Sequence, residues 1–160
     1  MTELIKQVLE EYQWKYSESG GVLRIEVDGE NSSWSSFVRT EGSDSFSCYA
    51  VLPVRAEKDT LISVMKLLHD INYAVRIGSF EIGLSDGDGQ IMLKTCGILS
   101  ESLIKNDPTE AKEIIRRVIA YNMLTMDFYA RHIIKAICGG EVDLGTILNS
   151  GKENERGEQI

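Results

Sequence analysis

Two Asp-Gly pairs in succession, Asp86-Gly87-Asp88-Gly89, form the most site-like stretch of this 160-residue sequence. Acidic oxygens spaced among glycines suit a cation loop or a backbone cradle for phosphate. A calcium loop of EF-hand type needs glycine at its sixth position and carboxylate oxygens at its first and twelfth. With Gly89 at the sixth, those places fall on Leu84 and Thr95, which offer no carboxylate. A phosphate cradle opens a helix after a strand, whereas a second strand-like run follows here. Asp-Gly between two alternating runs is what a tight turn with positive φ prefers. The stretch is therefore expected to be a hairpin tip, with no metal and no cofactor.

Other chemistry is equally thin. Gly145 to Lys152 resembles a phosphate-binding Walker loop, but five residues separate its glycines instead of four, and Glu153 follows the lysine. The two histidines, His69 and His132, both fall in helical patterns. His69 and Asp70 are helix neighbours and so point in different directions. No GxSxG, HExxH or Cys/His signature is present, and no catalytic residue is assigned. The serines of Ser32-Ser33-Trp34-Ser35-Ser36 have no base placed near them by sequence. That run reads as a polar strand with one large aromatic, or as a strand offering Trp34 or Phe37 to another protein.

The totals set the frame for these residues. Hydrophobic content of 42% and charged content of 26% are ordinary for a folded globular domain. Seventeen basic against 25 acidic residues give a net charge of −8. A nucleic-acid binder usually shows a basic excess or stripe, so none is expected as a partner. No apolar run is long enough to span a membrane, and Met1 to Tyr12 lacks the apolar segment of a secretory signal. Cys48, Cys96 and Cys138 are odd in number, far apart and set among apolar neighbours. They are expected as buried free thiols in a cytoplasmic protein.

Stepping along the chain, Leu4, Ile5, Val8, Leu9 and Tyr12 recur at helical spacing, with Thr2 as the expected cap. Alternation then marks strands over 22–27, 33–40 and 46–52, the first two joined by Asp28-Gly29 and the third ended by Pro53. Short links between them predict an antiparallel meander. A helix is expected over 56–71 with Asn72 as its left-handed terminator, then strands over 74–84 and 90–96. Asp107-Pro108-Thr109-Glu110 is the best helix start in the chain, and the helix can run to Gly139-Gly140. Its apolar residues, among them Tyr121, Met126, Tyr129 and Ile133, exceed one stripe. Either a partner chain covers the surplus, or the helix breaks near Asn122 or Thr125 and folds back. A short helix is possible over 142–148, and 149–160 reads as a loose tail after a single α+β domain over 1–148.

This order, α-β-β-β-α-β-β-α with an antiparallel sheet of about five strands, resembles the fold of bacterial type III secretion chaperones. The YbjN-like family, described as sensory transduction regulators of bacteria, shares that fold. "LPVRAEKDTLISVMKLLHDINYAVRIGSFEIGLSDGDGQIMLKTCGIL" is similar to the family's proline-ended strand, helix, asparagine, hydrophobic-G-x-F-E strand, Asp-Gly turn and return strand. Gly78, Phe80 and Glu81 carry the match, which is best over 52–137. The resemblance implies a non-enzymatic, cytoplasmic protein-binding module, chaperone-like or a regulatory adaptor, acting as a homodimer. Trp34, Phe37, Tyr121, Met126, Tyr129 and Ile133 are the contact residues expected for such a role. The alternatives are a structural subunit, or an enzyme or small-ligand sensor with Glu81, Asp86, Asp88 or His132 rimming a cleft between sheet and long helix.

Overall fold

A computed structural model describes residues 1–84, 89–143, 145 and 147. The chain runs α1 (Thr2–Glu11), β1 (Tyr16–Ser19), β2 (Val22–Asp28), β3 (Ser33–Glu41), β4 (Ser45–Arg55), α2 (Leu61–Ala74), β5 (Ser79–Gly83), β6 (Gln90–Ile98), α3 (Glu101–Asn106) and α4 (Pro108–Ile137). The strands form one antiparallel sheet of six in the order β1-β2-β3-β4-β6-β5. The expected α+β class and element order hold, with β1 and α3 added. Tyr-Ser-Glu-Ser has no apolar alternation to announce β1, which is recruited by pairing with β2. Asp86 and Asp88, expected at a hairpin tip, and the expected tail over 149–160 lie outside the described residues; Gly83 of β5 and Gln90 of β6 are antiparallel partners.

Several local signals resolve differently from their first reading. Met1 rather than Thr2 occupies the cap position of α1. Pro53 does not end its strand; β4 continues to Arg55, with an irregular register between Val51 and Arg55. Pairing with β3 stops at Val51, so the missing amide of Pro53 leaves no ladder position empty on that side. Asn72 stays inside α2 instead of terminating it. Its Oδ1 accepts from Phe80 N at 2.7 Å and its Nδ2 donates to Phe80 O at 3.0 Å. One side-chain amide thereby pairs with both backbone groups of Phe80 on the edge strand β5. Cys48 is buried, and burial pushes its thiol up to about 12, but Cys96 and Cys138 are exposed. Cys96 faces outward on β6 and Cys138 follows the end of α4, so neighbouring apolar letters did not imply burial.

The helix α4 is a single 30-residue element packed on β4 and β6. Asp107 caps it, its carboxylate accepting from Glu110 N at 3.1 Å, and Pro108 stands where no amide is needed. Its first half puts Ala111, Ile115 and Ile119 into a core shared with α1, β2 and Phe46. Its second half puts Met126, Tyr129, Ala130, Ile133 and Ala136 into a core shared with α2, β5 and β6. Asn122 sits between the two, fully buried, and donates to Cys48 O at 3.3 Å and Leu93 O at 3.1 Å. The suspected break is thus a tether to the sheet within an unbroken helix.

At the other side of this layer, Glu113 accepts from Arg116 at 2.7 and 2.6 Å and from Arg117 at 2.8 Å. The Arg116 guanidinium, with Arg117 second, holds the Glu113 carboxyl at about 2, below its usual 4.5. A depressed folded-state value stabilises the fold above the unfolded-state value, and that contribution is lost as pH falls from about 5 toward 2. Glu113→Gln should therefore flatten the decline of melting temperature across that window relative to the parent. Parallel curves would show that the cluster contributes nothing to acid stability.

Candidate protein-binding surface

The helices cover one face of the sheet, and among the described residues the other is left uncovered. On the inner face Phe46, Cys48, Ala50 and Leu52 of β4 and Ile91, Leu93 and Thr95 of β6 are buried. The intervening residues point away from the helices. Pair registers line them into rows: Arg24, Phe37, Tyr49, Lys94 and Ser79 in one, Val22, Arg39, Ser47 and Cys96 in the next. A third holds Glu26, Ser35, Val51, Met92 and Glu81. At their centre lies a shallow hollow of about 240 Å3 lined by Val22, Phe37, Arg39, Tyr49, Val51 and Met92.

Cations stand over the rings of this hollow. The Arg24 guanidinium lies 5.8 Å from the Phe37 ring centre, Arg39 6.0 Å from that of Tyr49, and the Lys94 ammonium 5.6 Å from Tyr49. Acids at the border hold them in place. Glu26 pairs with Arg24 at 2.5 Å and Glu41 with Arg39 at 3.1 Å. The Ser47 hydroxyl, with Arg39 second, holds the Glu41 carboxyl below its usual value. The Tyr49 oxygen raises the Lys94 ammonium. The result is a nearly neutral platform with an apolar centre, suited to seating a side chain of another molecule.

A second exposed surface runs along α2. Val64, Leu67, Leu68 and Ile71 face the core, while Ile62, Met65, His69 and Tyr73 recur at helical spacing on the solvent side. Tyr73 is 83% exposed and Ile62 61%. The broad apolar side read from the sequence was in fact two stripes, one buried and one not.

Of the contact residues expected from the sequence, Trp34, Met126, Tyr129 and Ile133 are buried. That expectation is corrected: α1 and α2 flank α4 and absorb the surplus apolar positions that had suggested a partner chain. Tyr129 stacks edge-on against Phe80 at 5.7 Å, and Trp34 donates from Nε1 to Ser36 Oγ at 3.1 Å inside the core. Tyr121 is half-buried, its hydroxyl accepting from Arg76 N at 3.0 Å. Phe37 alone lies on the platform. Its neighbours Tyr49, Val51 and Met92 join it there, and their alternation with Cys48, Ala50 and Leu93 is the sequence signal that marks them as outward-facing.

The cleft imagined between sheet and α4 is filled by side chains of both core clusters. Glu81 faces outward from the sheet while His132 lies on α4 across the other layer, so the two do not share a rim. Burial, then the charges of Arg131 and Lys135, lower His132. Among the described residues no group of three His, Cys, Asp or Glu is placed to hold a metal ion. No described helix is long and apolar enough to cross a membrane.

With this geometry in hand, a family model of the YbjN family, "Putative bacterial sensory transduction regulator", matches residues 2–104. The chain belongs to the YbjN family. The matched span runs from α1 to the middle of α3, further toward the N-terminus than the 52–137 segment that carried the resemblance. No curated protein matches. Among solved structures, the crystal structure of YbjN from E. coli, described as "a putative transcription regulator", is similar with a TM-score of 0.62. It is 8% identical and covers 82% of this chain and 93% of its own. At that identity the likeness concerns the fold.

Proposed function

We propose that this YbjN-family chain is a non-enzymatic protein-binding module, a chaperone-like or regulatory adaptor that holds a segment of a partner protein and acts as a cytoplasmic homodimer. The observation that carries this reading is the uncovered sheet face, where Phe37 and Tyr49 stand half-buried around an apolar hollow with cations fixed over their rings. Aromatic anchors ringed by arginine are the residue types on which protein contacts concentrate their energy. The family description as a regulator is compatible with such a role.

The test is affinity capture from the source lysate with the parent and with Phe37→Ser combined with Tyr49→Ser. A protein partner retained by the parent and weakened at least about tenfold by the double variant supports the reading. Equal retention by both would remove the sheet face from consideration. A co-purified small molecule with no protein partner would favour a ligand sensor instead.

A further inference from the structure

We infer that the partner segment seated on the bare sheet face is extended and acidic, with an apolar side chain in the hollow and a carboxylate two residues away paired with Lys94. The inference rests on the protein-binding reading above and names the chemistry of its partner. Three cations surround the hollow, and two of them already have an acid. Arg24 pairs with Glu26 at 2.5 Å and Arg39 with Glu41 at 3.1 Å. Glu26 also accepts from Ser35 at 2.9 Å and Glu41 from Ser47 at 2.8 Å, so both acids are held from within the sheet. Lys94 forms no ion pair among the described residues. Its ammonium lies over the Tyr49 ring, and Glu81 stands one row away, its strand partner being Met92. A half-buried ammonium with donors to spare, set against apolar surface, is a place where an incoming carboxylate finds a partner.

The spacing selects an extended chain. Phe37, Tyr49 and Lys94 are successive partners across β3, β4 and β6. With strands about 4.8 Å apart, Lys94 stands about 7 Å from the middle of the Phe37–Tyr49 pair. Residues i and i+2 of an extended chain project to one side at about the same separation. A segment that crosses the strands therefore brings an apolar side chain over the hollow and an acid over Lys94 together. The alternate residue between them points to solvent and is left unspecified.

Selection of a displayed random heptapeptide library on the whole chain, on Lys94→Gln and on Lys94→Glu tests this. The parent should enrich an apolar residue followed or preceded at two positions by an acid. Lys94→Glu should enrich a base at that place, and Lys94→Gln neither charge. A synthetic peptide of the parent consensus should bind Lys94→Gln about fivefold more weakly than the parent and Lys94→Glu at least about tenfold more weakly. Lys94→Gln keeps the test open should Lys94→Glu fail to fold. A parent consensus without an acid, an acid preference that survives in both Lys94 variants, or no enrichment on the parent overturns the inference. The protein-binding reading is judged separately by Phe37→Ser combined with Tyr49→Ser: selected peptides that this variant no longer binds uphold the sheet face even where no acid is chosen. Peptides bound equally by that variant overturn both.

Discussion

Met126→Asp yields a chain without a cooperative thermal transition, whereas Met65→Asp, on a helix only one layer away, melts like the parent. Met126 is fully buried where α4 lies over the sheet and against α2. Removing its thioether chain costs about 2–5 kcal/mol in packing alone. A carboxylate inside that apolar cluster adds a desolvation penalty of several kcal/mol, and protonation only softens it. Together these rival the roughly 5–15 kcal/mol that holds an average domain folded. Met65 points to solvent from the outer stripe of α2, where an added carboxylate keeps its water. Circular dichroism melts of both variants decide the matter. A folded Met126→Asp protein with weakened association would return α4 to the role of an interface and sink the assignment of its second half to the core.

The second large effect is expected at Gly78. Its φ of +90° is outside the ordinary range for residues with a side chain. A Cβ built there would run into the carbonyl oxygen of Lys94 and come 2.8 Å from Thr95 Cγ2. The obstacle is backbone of a central strand, which cannot swing aside as the end of a flexible side chain can. Strain at a single such position costs about 1–3 kcal/mol, and the fixed neighbour places Gly78→Ala near the upper end. The melting temperature should fall by about 6–12 °C for a chain of this size. Gly20 also has positive φ but meets nothing within 4 Å, so Gly20→Ala should cost only the φ strain. Equal losses at the two glycines would contradict the steric account. The same crowding explains why a glycine opens the hydrophobic-G-x-F-E stretch that carries the family likeness. Close approach of β5 to Lys94 is what allows Phe80 to reach Tyr129 and to be held by Asn72.

Local signals were read well where a single neighbour decides the conformation. The Asp107 cap and Pro108 began α4 where expected, because capping depends only on residues within one turn. Alternation placed β2, β3 and β6 to within a residue or two, since each strand needs one buried face whatever its partners are. Readings failed where a distant residue supplied the partner. Asn72 was expected to end a helix, a role set by backbone preference, but Phe80 on the neighbouring strand offered both of its backbone groups. Pro53 was expected to stop a strand, but the ladder on one side had already finished.

The amino-acid order by itself determined the α+β class, the meander, the long capped helix and the family, because periodicity, caps and turns act over a few residues. It also showed that α4 carries more apolar surface than one face of a sheet can hide. Only the tertiary structure decided where that surplus goes. The sheet and α2 bury Met126, Tyr129 and Ile133, α1 covers the first half of α4, and Leu124 stays exposed, as do Ile62, Met65 and Tyr73 on the outer stripe of α2. The physical reason is that hydrophobicity fixes how much surface seeks cover, while the packing of elements distant in sequence fixes which surface finds it.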